Sequence, residues 1–298
     1  LDEARFSQVQ IGNWLDARVT LLGRGKGRPV GVSIGQGRVD LRGAAFGARS
    51  SDAGPLALRL DRLQITEGIA LHDFIGDFDG SGGFSGEFTG RVNGGPQVLG
   101  TVIPQNGRSA IRLQSDDAGG VVGAAGFLKN GLGGSLDLTL RPARDAGTFD
   151  GDLLVRDLRV RDAPAMAALL DSISVVGLLR QLDGQGLAFD EVDATFRLTP
   201  SQVIVTQSSA VGPGLGISLD GIYTLASKQI DFQGVVSPFY LLNGIGAFLT
   251  RKGEGLIGFN FNLTGAAGAP VVSVNPLSAF TPGMFREIFR RAPPEVTQ

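Results

Sequence analysis

Apolar residues recur at every second position in short runs through the first part of the chain: Val9 and Ile11, Val19 and Leu21, Val30, Val32 and Ile34, Val39 and Leu41, then Leu56, Leu58 and Leu60. A period of two puts these side chains on one face of a strand and their neighbours on the other. Glycine-rich breaks such as Gly23-Arg24-Gly25-Lys26-Gly27 separate the runs, the pattern of strands joined by hairpins. The glycine punctuation continues from Gly80 to Gly95 around Phe84, Phe88 and Val92. Further strands are expected at 110–113, at Leu136, Leu138 and Leu140, at Ala194, Phe196 and Leu198, at Val203 and Val205, and at Ile217 and Leu219. The clearest two-faced strand comes late, where Phe259, Phe261 and Leu263 alternate with Asn260, Asn262 and Thr264.

Three short segments change to helical spacing. Asp162-Ala163-Pro164 opens the first, with the aspartate as cap and the proline in the first turn, and Met166, Leu169, Leu170 and Ile173 share a face. Val176, Leu179 and Leu182 continue it as a second turn or helix, so helix is expected near 163–182. Ser237 and Pro238 have the chemistry of a cap and a first helical residue, which predicts a helix over 238–251 that ends at Arg251, Lys252 and Gly253. Its uncharged body carries Phe239, Leu241, Leu242, Ile245, Phe248 and Leu249. At about 14 residues and roughly 21 Å it is too short for a bilayer core of about 30 Å, so it is expected to be buried or interfacial. The last helix, near 282–291, sets Met284, Phe285, Ile288 and Phe289 against Arg286, Arg290 and Arg291 before Pro293-Pro294.

The fold class implied is mostly β, with a few short helices in the C-terminal half, and the apolar strand faces need cover from a second sheet, from closure into a barrel or from bound acyl chains. The chain reads as a glycine-rich strand region over 1–100 and a second region over 101–298 that holds the helices. Composition agrees, since 46 glycines among 298 residues disfavour a helical bundle. The 18 Phe against one Trp and two Tyr disfavour an outer-membrane barrel, whose girdles are rich in Trp and Tyr. The 27 basic and 29 acidic residues leave a net charge of −2, which offers phosphate backbones no general attraction, so no nucleic-acid partner is expected. The absence of cysteine removes disulfides, thiol catalysis and thiolate metal sites.

Motifs that resemble catalytic ones fail on context. Gly31-Val32-Ser33-Ile34-Gly35 has the spacing of a nucleophile elbow but lies in an alternating strand, and His72 is the one histidine of the chain. Gly212-Pro213-Gly214-Leu215-Gly216 runs on into a strand and supplies no helix N-terminus for a phosphate, so it is expected to be a hairpin turn. Asp77, Asp79, Gly80 and Gly82 lack the spaced oxygen ligands of a calcium loop. No cofactor or metal is therefore expected and no catalytic residue is assigned, while a pair of carboxylates placed for glycoside chemistry would leave no motif in the sequence.

Four runs carry a family resemblance: VVSPFYLLN at 235–243, KGEGLIGFNFNLTG at 252–265, VSVNPLSAFTPGMFREIF at 272–289, and DAPAMAALLDSISVVGLLRQLDGQGLAFDEVDATF at 162–196. These resemble the C-terminal region of AsmA-like envelope proteins of Gram-negative bacteria, over at least 148–289. The resemblance implies a long, curved antiparallel sheet, open as a groove or folded over like a taco, and a periplasmic lipid-transport module, not an enzyme, whose apolar β-groove shields phospholipid acyl chains between inner and outer membranes. It implies an inner-membrane anchor N-terminal to this sequence, which begins Leu1-Asp2-Glu3, and contact with the outer membrane or an envelope protein. Groove candidates are Leu136, Leu138, Leu140, Phe196, Leu198, Phe259, Phe261 and Leu263. Candidates for an end cap or membrane contact are Phe239, Leu242, Phe248, Phe285 and Phe289. The alternative is a non-catalytic assembly or structural factor for outer-membrane components.

Overall fold

A computed structural model describes residues 2–42, 52–81, 84–105, 107–145, 147–174, 176–238, 257–280 and 291–294. The chain divides into two compact units, the first made of Leu1–Ser115 with Ala124–Phe127 and Thr139–Pro142, the second of the remainder. Among the described residues strand dominates, the ladders set out below are antiparallel except β3 with β4, and helices are few and short. The expected fold class is met at that level.

The first unit is built from β1 (Glu3–Ile11), β2 (Leu15–Leu22), β3 (Gly31–Asp40), β4 (Asp52–Gln64), β5 (Ala70–Ser81), β6 (Ser85–Val92), β7 (Gln97–Gln105) and β8 (Arg108–Ser115), each paired with the next. The exception is β3 with β4, which run parallel, Val32 beside Leu56 and Val39 beside Leu63. The hairpin expected there does not form, because parallel neighbours cannot be joined by a tight turn. The apparent nucleophile elbow is the start of β3, and His72 is a half-buried residue of β5.

Between the two sets of strands lie α1 (Ala118–Ala124), absent from the sequence reading, β9 (Gly131–Leu132) and β10 (Ser135–Pro142). The second unit continues with β11 (Phe149–Val160), α2 (Pro164–Ser172), α3 (Val176–Asp183), β12 (Leu187–Leu198), β13 (Gln202–Val211), β14 (Leu215–Thr224), β15 (Gln229–Pro238), β16 (Phe259–Ala266) and β17 (Ala269–Asn275), then a single 3-10 turn, Pro276–Phe280. β11 to β17 form one antiparallel ladder in chain order, with β9 beside β11.

In each unit one strand bends at an aspartate in the left-handed region, which Asp tolerates better than most residues. At Asp73 (φ 50°) the buried set of β5 passes from Phe78 and Phe74 to Leu71. At Asp157 (φ 57°) the buried set of β11 passes from Val155 to Leu158 and Val160. A change of phase that keeps apolar residues buried on both sides is invisible to a simple period-two count.

The helix expected near 163–182 is present as α2 and α3. Pro164 holds the first position, and Leu169 and Leu170 are buried as the spacing predicted. Asp162 is not the cap: it turns the chain at φ 42°, and Ala163 occupies the cap position with no side-chain bond. The expected start at Ser237 and Pro238 is also corrected, because both residues end β15, with Pro238 opposite Leu215. A proline is tolerated there because it is the terminal residue of the strand. Residues 239–256 and 281–290 lie outside the described residues, and with them the bodies of the helices expected over 238–251 and 282–291. Gly212 to Gly214 form the β13–β14 turn, as expected, with the Gly212 N–H donating to the Leu215 carbonyl at 2.9 Å.

Candidate functional site

Pairing register assembles the alternating strands of the second unit into one apolar face, organised as rows that cross the strands. One row reads Val155, Val192, Ala210, Ile217, Val236 and Phe259, from β11 to β16. A second, four residues further along β11, reads Gly151, Phe196, Val205, Gly221, Phe232, Leu263 and Val272. A third reads Phe149, Leu198, Val203, Tyr223, Ile230, Gly265 and Pro270. At about 4.8 Å per strand the second row runs roughly 29 Å along the sheet.

The three rows contain no charged residue. Burial raises the Tyr223 hydroxyl above its ordinary pKa, so it also remains neutral. The hydroxyl of Ser208, between the first two rows on β13, donates to the Leu219 carbonyl at 2.8 Å.

The first row is the one the helices cover, although Val192, Ala210 and Phe259 in it are only partly buried. Val155 is 2% exposed, Ile217 6% and Val236 0%, and these belong to one cluster with Leu169 and Leu170 of α2 and Leu178 and Leu182 of α3. α2 packs against β17 while α3 packs against β12, so the helix pair crosses the face between strands far apart in the ladder. A methyl added to Gly214, in the turn at that end, would lie 3.1 Å from Leu178. In the second and third rows Phe196, Val205, Phe232, Leu263, Val272, Phe149, Leu198 and Val203 are half-buried. The face is therefore buried most deeply at Val155, Ile217 and Val236 beneath the helices, and its other apolar side chains are half-buried apart from Ile230 of the third row, which is buried.

The opposite face is polar but only partly wet. Asp193 accepts from Ser209 at 2.6 Å and Asp150 accepts from Arg197 at 2.7 Å. Along β14 to β16, Ser218, Asp220, Gln233 and Asn260 are buried. Part of that cover is the C-terminal segment: the Asn260 N–H donates to Ser278 Oγ at 2.8 Å, and the Arg291 N–H donates to Gln233 Oε1 at 2.8 Å. Arg291 also pairs with Asp231 at 2.7 Å. Alternation correctly placed Asn260 on the polar face, but solvent does not reach it there.

Phe259, Phe261 and Leu263 share the apolar face of β16, as expected, and register joins Leu263 to Phe196 through a single row. Phe261 is 4% exposed and belongs to the helix-covered cluster, so its position is that of a core residue; Phe259 and Leu263 pack partly buried against the same cluster. Leu136 is buried in this cluster too and Leu138 packs on it, whereas Leu140, half-buried, falls within the first unit. Phe239, Leu242, Phe248, Phe285 and Phe289 lie outside the described residues. The sequence reading missed Phe149, Leu153, Phe232, Val272 and Val274 as face residues, because their parity becomes meaningful only once they are registered against a neighbour.

The first unit presents a face of the same kind, with Leu60, Leu63, Leu71, Phe74, Phe78, Phe88, Val92, Val98 and Val102 buried. Its centre is aromatic: ring centroids lie 5.2 Å apart for Phe74 and Phe88 and 4.8 Å apart for Phe78 and Phe84. Asp77, a member of the apparent calcium motif, pairs with Arg59 at 2.8 Å. Among the described residues no acidic or histidine cluster has the form of a metal site, and no helix is long and apolar enough to cross a membrane. No family model, curated protein or solved structure matches this chain.

Proposed function

We propose that this chain is a lipid-carrying module of the bacterial envelope, which shields phospholipid acyl chains along the uncharged faces of its sheets and performs no chemistry on them. The observation that carries this reading is the face of β11 to β17: three uncharged rows, buried deepest beneath α2 and α3 and with most of their other apolar side chains only half-buried. Half-exposed Phe, Leu and Val side chains gain from cover at about 25 cal/mol per Å². An acyl chain supplies such cover without asking for a polar partner. The likeness of four sequence runs to AsmA-like proteins gives the setting: the periplasm, with an inner-membrane anchor outside this sequence and delivery toward the outer membrane.

Recognition on this reading is by chain and not by head group, since the face has no arginine to hold a phosphate. The test is to purify the protein in mild conditions, extract it with organic solvent and identify what is released by mass spectrometry. Phospholipids of mixed head group are expected. Protein that is lipid-free and binds one envelope protein at fixed stoichiometry would overturn the proposal in favour of an assembly factor.

A further inference from the structure

Both apolar faces set phenylalanines directly opposite glycines. In the first unit Phe88 of β6 faces Gly100 of β7 on one side and Gly76 of β5 on the other. In the second, Phe196 of β12 faces Gly151 of β11. A methyl built on Gly100 would overlap the Phe88 ring, and one on Gly151 the Phe196 ring, and in both cases the three nearest atoms all belong to that ring. The rings therefore lie over the glycine Cα atoms. A strand side chain ordinarily stands roughly perpendicular to its sheet, and it can lie down only where the neighbouring strand offers no Cβ. A ring laid flat covers the bare glycine backbone and adds apolar area without adding height.

We infer that Gly151 sets the depth of the apolar face of the second unit, by keeping the ring of Phe196 flat and the space above it free for acyl chains. Phe88, buried against Phe74 and Phe78, is instead part of the cover of its own face. This rests on the lipid-carrying reading. Because ring atoms and not backbone block the added methyl, the response to an alanine is a raised ring, not a displaced strand. The site of that ring is one where the second unit is still half-open: Phe196 is half-buried and sits in the second row.

The test uses Gly151→Ala, Phe196→Ala and the double variant, each purified as wild type and assayed for phospholipid per protein beside a melting curve. Gly151→Ala is expected to lower bound lipid about fourfold, the equivalent of one buried methylene. The double variant is expected to regain wild-type loading although it melts below Gly151→Ala, because the ring that obstructs is gone while its packing is gone too. If loading instead follows stability, with the double variant lowest, or if Gly151→Ala leaves loading unchanged, the depth-setting role is overturned. Wild-type protein that carries no lipid overturns the reading on which it rests. Should Gly151→Ala fail to fold, Phe196→Ala alone decides: loading at or above wild type with a lower melting temperature supports the role, and loading that falls with stability overturns it.

Discussion

The two units solve one problem with different covers. Each has a ladder of alternating strands, an aspartate kink that re-phases one strand, and phenylalanines seated on glycines. In the second unit part of the apolar face is roofed by α2 and α3, which bury Leu170 and Leu182 completely. Among the described residues of the first unit no helix plays that part, and its centre is covered by its own rings, Phe74, Phe78, Phe84 and Phe88. Alternation thus defines which face is apolar, while the cover is decided by segments remote in sequence.

The comparison breaks most visibly at Phe261 and Phe196, which share a face but not a cover. Phe261→Asp removes a ring from the roofed cluster, about 3 to 5 kcal/mol for the truncation, and buries a charge besides. Loss of hydrogen-exchange protection across β14 to β17 is expected, and a wild-type melt would show that the roof is not closed. Phe196→Asp, in the half-open row, is expected to leave a folded protein that no longer copurifies with lipid. Leu170→Ala tests the roof from the helix side. It should cost about 2 to 5 kcal/mol in denaturant titrations, and a loss under about 1 kcal/mol would mean that α2 rests loosely on the sheet.

Much of this organisation was legible in the sequence. The β16 alternation, the Pro164 helix start and the turn at Gly212 could be read because each depends on a few adjacent residues. The errors have one origin. Asp162 can cap a helix or turn the chain in the left-handed region, and the second use prevails. Ser237 and Pro238 suit a helix start equally well, but pairing with β14 holds the segment as strand to its last residue. Nothing local to β3 announces a parallel neighbour, and nothing in Asn260 announces Ser278 above it. The phenylalanine–glycine pairs were present in the sequence as an abundance of both residues, but only register joins one to the other.

A smaller effect separates the two asparagines of β16. Asn260 is 5% exposed and covered by the C-terminal turn, whereas Asn262 is exposed. Asn260→Asp places a carboxylate in a buried position and should cost about 1 to 3 kcal/mol by chemical denaturation. Asn262→Asp should stay within about 0.5 kcal/mol of wild type. Equal effects would show that the turn does not cover the polar face.

The finest contrast is between two ion pairs, one in each unit. Asp40 accepts from the side chain and the N–H of Arg42, two residues away. Asp231 accepts from Arg291, 60 residues away, beside the contacts of Gln233 with the Arg291 backbone. Hydrogen bonds from the arginine, aided by its charge, hold both carboxylates below their ordinary pKa. A depressed folded-state pKa means that each pair contributes fully above the unfolded value, about 4, and loses its contribution as the pH falls through the lowered folded value. The pH window is therefore shared, but what loosens within it differs: the Asp40 pair fastens a local turn, and the Asp231 pair fastens a distant part of the chain onto β15. Both members of the Asp231 pair are more than half exposed, so water screens the attraction and the effect is small. Asp231→Ala at neutral pH should speed hydrogen exchange of the Arg291 amide by about twofold to fivefold and leave the Arg42 amide unchanged. Asp40→Ala should do the reverse. An Arg291 amide indifferent to Asp231→Ala would assign the C-terminal attachment to Gln233 alone, buried at 5% and bonded to both the N–H and the carbonyl of Arg291.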